Sequence, residues 1–145
     1  MSCIFCDIVK GKSPCHKIWE DDKHLAFLSI FLNTKGFTVV IPKKHYASYA
    51  FEQDDDVLAE LTLATKKVAL LLDKALDGVA RTGMFNEGYG VDHSHSKLFP
   101  MHGTGVESKV NKYFESYEGY LSSHDFERAD DEELPKLAAY VRSYL

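Results

Sequence analysis

His93-Ser94-His95-Ser96-Lys97 follows the turn-prone run Asn86-Glu87-Gly88-Tyr89-Gly90 and leads into Leu98-Phe99-Pro100. Side chains two apart on a β-strand point to the same face of a sheet. Read as part of a strand over Val91–Phe99, the stretch places two imidazoles and an ammonium in one row. Burying such a row is costly unless chemistry employs it. Two uses fit: a metal site, or a nucleophilic histidine beside a cation that receives phosphate.

Working outward, the flanking segments read as more sheet. Lys17-Ile18-Trp19-Glu20, His24–Ile30 and Gly36–Pro42 are short β-prone runs, the last closed by proline. Thr82–Asn86 makes a further strand before the glycine turn. Between them the period changes to that of a helix. Val57, Leu58, Leu61, Ala64, Thr65, Val68, Leu72, Ala75 and Leu76 recur at helical spacing from about Asp54 to Asp77. Asp54, Asp55 and Asp56 suit the positive end of that helix, and Gly78 suits its stop. Tyr113–Leu121 reads as another strand within an ambiguous region. Asp131–Tyr144 places Leu134, Leu137, Ala138 and Val141 on one helical face, with Pro135 tolerated in the first turn. The pattern predicts an α+β domain on an antiparallel sheet.

A chain of 145 residues, 45% of them hydrophobic, has the length of one domain with its own core. A net charge of −5 argues against a general nucleic-acid binder. No apolar run is long enough to span a membrane as a helix. Met1-Ser2-Cys3-Ile4-Phe5-Cys6-Asp7 lacks the basic stretch of a secretory leader, which gives the expectation of a cytoplasmic protein. Three cysteines there would be reduced thiols, not a disulfide framework.

Cys3-Ile4-Phe5-Cys6 is a Cys-x-x-Cys pair with no strand before it, so a thioredoxin-like redox role is weak. A zinc role needs two more ligands. His45 and His93 are available, Cys15-His16 competes, and spacing leaves the choice open. One reading makes His93 and His95 ligands of a single catalytic metal. The alternative divides the labour: His93 holds zinc and His95 attacks phosphorus, with one ring nitrogen donating to a fixed acceptor and the other free. Lys97 then serves as a point charge for phosphate. Gly88 and Gly90 allow close backbone approach to a phosphate, and equally suit any hairpin. Asn86 offers a donor beside that turn. His102 lies just past the strand, within reach of the same cleft. His24 and His124 read as surface or edge residues.

Taken together, these segments resemble the histidine triad family, whose signature is His-x-His-x-His. The resemblance covers about residues 3–103. It includes the opening Cys3-Ile4-Phe5-Cys6, Leu25-Ala26-Phe27-Leu28, the run from Gly36 to His45, and Gly88 to His95, in the family's order. It implies a five-stranded antiparallel sheet with a long helix and a C-terminal helix, in one domain over 1–145 with an extension at 104–145. It also implies a homodimer, with the long helix carrying a second apolar stripe at Leu63, Leu70 and Leu71. The implied activity is nucleotidyl hydrolysis on a nucleoside phosphate anhydride, ester or phosphoramidate, through a covalent nucleotidyl-histidine on His95. Nucleotidyl transfer and a non-catalytic nucleotide-binding module are the alternatives. On this reading Lys97 and Asn86 would join His95 as catalytic residues. The expected substrate-binding positions are Ser29, Ile30, Phe37, Gly88, Gly90 and His102, and the resemblance implies a structural zinc held by Cys3, Cys6, His45 and His93. The chain departs from the family at Lys97, which replaces the third histidine, and at Phe37 and Ser29, which replace a histidine and a ribose-gripping acid or amide. Tyr89, Gly90, Ser94 and Ser96 are further departures.

Overall fold

A computed structural model describes residues 3–31, 34–105 and 128–145. A short helix α1 (Ile4–Val9) precedes strands β1 (His16–Glu20), β2 (His24–Leu28) and β3 (Thr38–Pro42). Helix α2 (Asp55–Ala75) follows, then β4 (Val79–Phe85), β5 (Ser96–His102) and the closing helix α3 (Glu133–Arg142). The five strands form one sheet in the order β1-β2-β3-β5-β4, with every neighbouring pair antiparallel.

Alternation in β2 and β3 sends side chains to two different cores. Ala26, Leu28, Val40 and Leu98 face α2 and α3, packing with Leu61, Val68, Leu72, Leu134, Ala138 and Val141. Leu25, Phe27, Val39 and Ile41 face the other way, against Phe5, Ile8 and Val9 of α1. Every residue of both strands is therefore buried. Two-sided cover explains why these runs read as continuously apolar instead of alternating apolar and polar. It also makes the C-terminal extension part of the main core.

Several boundaries differ from the sequence reading. Helix α1 was not expected: six residues are too few for a helical period to show. Asp54 does stand at the N-cap of α2, although its carboxylate makes no capping hydrogen bond. Gly78 adopts φ +76°, as its place behind α2 requires. Leu71 is buried in the core instead of joining an outer stripe, leaving Leu63 and Leu70 exposed. His24 is buried, with its backbone N–H held by Asp21 Oδ1 at 2.6 Å. β4 starts earlier than expected because Val79 pairs with His102, at the far end of the hairpin. The strand at Tyr113–Leu121 and the reading of His124 lie outside the described residues.

The largest correction concerns the row of histidines. β5 begins at Ser96, whose ladder partner is Val40. The preceding backbone is bonded elsewhere: His93 N–H donates to Val91 C=O and Ser94 N–H to Tyr46 C=O, each at 2.8 Å. His93 and His95 thus sit in a loop leading into the strand. Only Lys97 of the three lies on the strand itself.

Candidate metal centre and adjoining cavity

The elements gather four donor residues at one end of β3. Cys3 caps α1 and Cys6 lies one turn later, so both thiols leave the same end of the helix. His45 follows β3, and His93 comes from the loop before β5. His93 is fully buried, and its Nε2–H donates to the carbonyl of Pro42 at 2.8 Å. A carbonyl can only accept, so this bond fixes the tautomer and leaves Nδ1 with a free lone pair. That Nδ1 lies 3.4 Å from Cys3 Sγ and 3.6 Å from Cys6 Sγ. His45 Nδ1 is 3.4 Å from Cys6 Sγ. Burial, above all, lowers the His93 pKa, favouring the neutral ring that a metal needs.

All four donor atoms lie within 4.8 Å of one another. In a tetrahedral zinc site, sulfur and nitrogen ligands stand about 3.6 Å apart, given bond lengths of about 2.3 and 2.0 Å. The three sulfur–nitrogen separations given above match such a polyhedron. A hydrogen bond from the far ring nitrogen to a backbone carbonyl, as His93 makes to Pro42, is the usual companion of a ligating histidine. Cys15 and His16 take no part in this set.

His95 comes next along the same loop. It is buried, and its Nδ1–H donates to the carbonyl of His93 at 2.6 Å. Nε2 is left as a free lone pair. Burial again does most to lower the pKa, with the positive charge of Lys97 acting in the same direction. The neutral ring is thereby favoured near pH 7, the form that can act as a nucleophile or base. Phe5 of α1 packs edge-on against both imidazoles, its centroid 5.8 Å from that of His93 and 5.5 Å from that of His95.

His95 and Lys97 line a cavity of about 790 Å³, a volume suited to a small organic ligand. Val39 and Phe27 form part of its floor, Ile4, Phe5 and Ile8 one wall, and Cys15 and His16 a far end near β1. From β5 to β1 is three strand spacings, about 14 Å. Ser29, Ile30 and Gly90 also line it. Ser29 turns its hydroxyl back to accept the Phe31 N–H at 3.1 Å.

Other expected site residues lie elsewhere. Gly88 packs against Tyr49, and its carbonyl accepts the Ser48 hydroxyl at 2.9 Å. Phe37 is buried against Phe85. His102, at the opposite end of β5, donates from Nε2 to Lys35 C=O at 2.8 Å. Seven strand residues beyond His95 amount to roughly 20 Å, so it does not share the cleft. Asn86 is outside the cavity lining, and its buried Oδ1 has no partner among the described residues.

Lys97 is not a free cation. Its buried ammonium pairs with Glu87 and lies 5.6 Å from the centre of the Phe85 ring. Glu87 was missed in the sequence reading. The ladder register explains the contact: with Phe85 opposite Lys97 in the hairpin, an acid two residues past Phe85 can reach back to it. Arg128 and Asp131, ion-paired at 2.7 Å, line the cavity from the C-terminal segment. No local pattern pointed to them.

A HIT domain model matches residues 10–103. An uncharacterized HIT-like protein of Mycoplasma genitalium is 38% identical over 117 residues, covering 77% of this chain and 82% of that protein. The adenosine 5'-monophosphoramidase of Schizosaccharomyces pombe is 39% identical over 100 residues, covering 69% and 74%. A zinc-bound histidine triad protein from Mycobacterium smegmatis shares the fold, with a TM-score of 0.72 at 23% identity, over 99% of this chain and 93% of that one. The chain belongs to the HIT domain family.

The ion pair yields a stability prediction. Glu87→Gln leaves the Lys97 ammonium buried without its carboxylate, which should lower the unfolding free energy by about 1–3 kcal/mol, discounted for the partial exposure of Glu87. Adding Lys97→Met should recover much of the loss in denaturant titrations. Equal stability of Glu87→Gln and wild type would show that the pair contributes little.

Proposed function

We propose that this protein is a nucleotide hydrolase in which His95 attacks the phosphorus of a nucleoside 5'-phosphate derivative. The carrying observation is the hydrogen bond from His95 Nδ1–H to His93 C=O, which leaves Nε2 unprotonated at the wall of a ligand-sized cavity. Nε2 forms a bond to phosphorus as the bond to the leaving group breaks. The leaving group takes a proton from solvent water as it departs, or leaves as an anion if it is acidic enough. Water then attacks the nucleotidyl-histidine, the phosphorus–nitrogen bond breaks, and the nucleoside monophosphate leaves with His95 restored. The phosphoramidase activity named for the fission-yeast relative supports a phosphoramidate as substrate.

Lys97 stabilises the charge that develops on the phosphoryl oxygens, with Glu87 holding its ammonium in place. The apolar floor of Phe27 and Val39 receives the base, and the span of the cavity suits an extended nucleoside monophosphate. We assign zinc to Cys3, Cys6, His45 and His93. When bound, it supplies a closed tetrahedral cross-link between α1, the end of β3 and the loop that carries His95.

The proposed assembly is a homodimer. Leu63 and Leu70 stand exposed on α2, seven residues apart and therefore on one face. Met84 is exposed on β4, the strand at the edge of the sheet. An exposed apolar stripe beside a strand that has no outer neighbour among the described residues suits pairing with a second copy.

His95→Asn should cut hydrolysis of an adenosine phosphoramidate by about 10⁴-fold or more while AMP binding persists. Wild-type protein quenched during turnover should carry the mass of one adenylyl group, absent from the variant. Full activity of His95→Asn would remove the nucleophile assignment. Wild-type binding of AMP with no turnover of phosphoramidates or anhydrides would identify a binding module instead.

Metal analysis of the purified protein should find about one zinc per chain. Cys6→Ala should lose the metal and melt at a lower temperature. Protein that melts identically with and without zinc would exclude a structural role. For the dimer, sedimentation at micromolar concentration should give twice 16.4 kDa, and Leu63→Glu/Leu70→Glu should shift it to the monomer.

A further inference from the structure

Helix α1 belongs to the metal centre and to the cavity at once. Cys3 and Cys6 supply two of its four metal donors. Ile4, Phe5 and Ile8, interleaved with those cysteines, form a wall of the cavity. Among the described residues little else holds the helix. It is six residues long, has no side-chain N-cap bond, and none of its residues is fully buried. A helix of that length is unstable by itself. Its position rests on the packing of Phe5, Ile8 and Val9 against β2 and β3, and on its two thiols.

One side chain bridges the two sites. The Phe5 ring contacts His93, whose Nδ1 faces the thiols, and His95, whose Nε2 borders the cavity. It also meets Phe27 on the floor, at a centroid distance of 5.6 Å. Fixing the thiols fixes the ring against which His95 rests. Releasing them leaves the ring and that wall held only by the packing of Phe5, Ile8 and Val9.

We infer that Phe5 is a positioning residue through which metal occupancy of the Cys3–Cys6–His45–His93 site sets both the affinity of the cavity and the placement of His95. The inference rests on the zinc and nucleotide readings above. Linkage makes the effect reciprocal: if zinc tightens nucleotide binding by some factor, nucleotide tightens zinc binding by the same factor. Coupling between sites is typically about 5- to 150-fold, and ring contact with direct packing justifies about tenfold here.

The test is a cycle on the purified protein, run below the melting temperature of the zinc-depleted form. AMP affinity is measured by calorimetry with and without zinc, and zinc affinity by chelator competition with and without AMP. Wild type should show about tenfold coupling in both directions. Phe5→Ala should still bind about one zinc yet show coupling reduced to within about twofold, and Phe5→Leu, which keeps apolar bulk, should fall between.

A ligand-free arm follows the ring protons of His95, identified by their absence in His95→Asn. Zinc removal should shift these resonances in wild type through the changed ring current of Phe5, and much less in Phe5→Ala. Equal AMP affinity with and without zinc would overturn the coupling while leaving the nucleotide reading intact. Coupling or shifts of undiminished size in Phe5→Ala would route the effect through the His93–His95 hydrogen bond and overturn the role of Phe5. Zinc-loaded wild type that binds no AMP would overturn the nucleotide reading and the affinity claim with it, and the resonance arm would then decide the placement of His95.

Discussion

The hydrogen bond from His93 Nε2–H to the carbonyl of Pro42 fixes the orientation on which the site depends. Proline cannot donate to a ladder, but its carbonyl remains an acceptor at the end of β3. Because that acceptor takes Nε2–H, Nδ1 faces the two thiols. Because His93 is held there, its own carbonyl is placed to accept Nδ1–H of His95. Two successive imidazoles are thereby given opposite uses of the same nitrogen. One presents Nδ1 to a metal set, and the other commits Nδ1 and leaves Nε2 free. In a low-dielectric interior, a misassigned tautomer would leave a buried polar atom unpaired, at a cost of about 1–3 kcal/mol.

The sheet supplies the rigid frame for this relay. Its two central strands are buried on both faces, so their registers are strongly specified. A one-residue slip would move Phe27 and Val39 from the cavity floor to the opposite core. The loop carrying His93 and His95 is fastened to this frame through Pro42 and Tyr46. A loop so anchored places side chains with the precision of a strand while its backbone is free to curve around the metal donors.

Charge is managed by pairing. A lysine as buried as Lys97 is rarely stable alone. Here Glu87 and the face of Phe85 surround it, and all three come from the β4–β5 hairpin or the turn beyond β4. The acid removes most of the cost of burial, leaving a cation fixed at the cavity wall. The departure of Lys97 from the family signature is thus matched by a local partner, which keeps a positive group at that position without exposing it.

The sequence by itself pointed to most of the element types, to the antiparallel sheet, and to Cys3, Cys6, His45, His93, His95 and Lys97 as candidate site residues. Those follow from periodicity and from motifs that are local, or that occur in a recognisable family order. Only the tertiary structure decided the rest. Ladder partners, not residue preference, put the start of β5 at Ser96 and left the histidines in a loop. Packing put Leu71 and His24 inside. Sheet geometry separated His102 from a cleft that its sequence position suggested. Glu87, Arg128, Asp131 and the double duty of Phe5 depend on contacts between segments distant in the chain or on how a hairpin closes. A local pattern records which face a residue prefers, but what it meets on that face is fixed only when the strands pair and the helices dock.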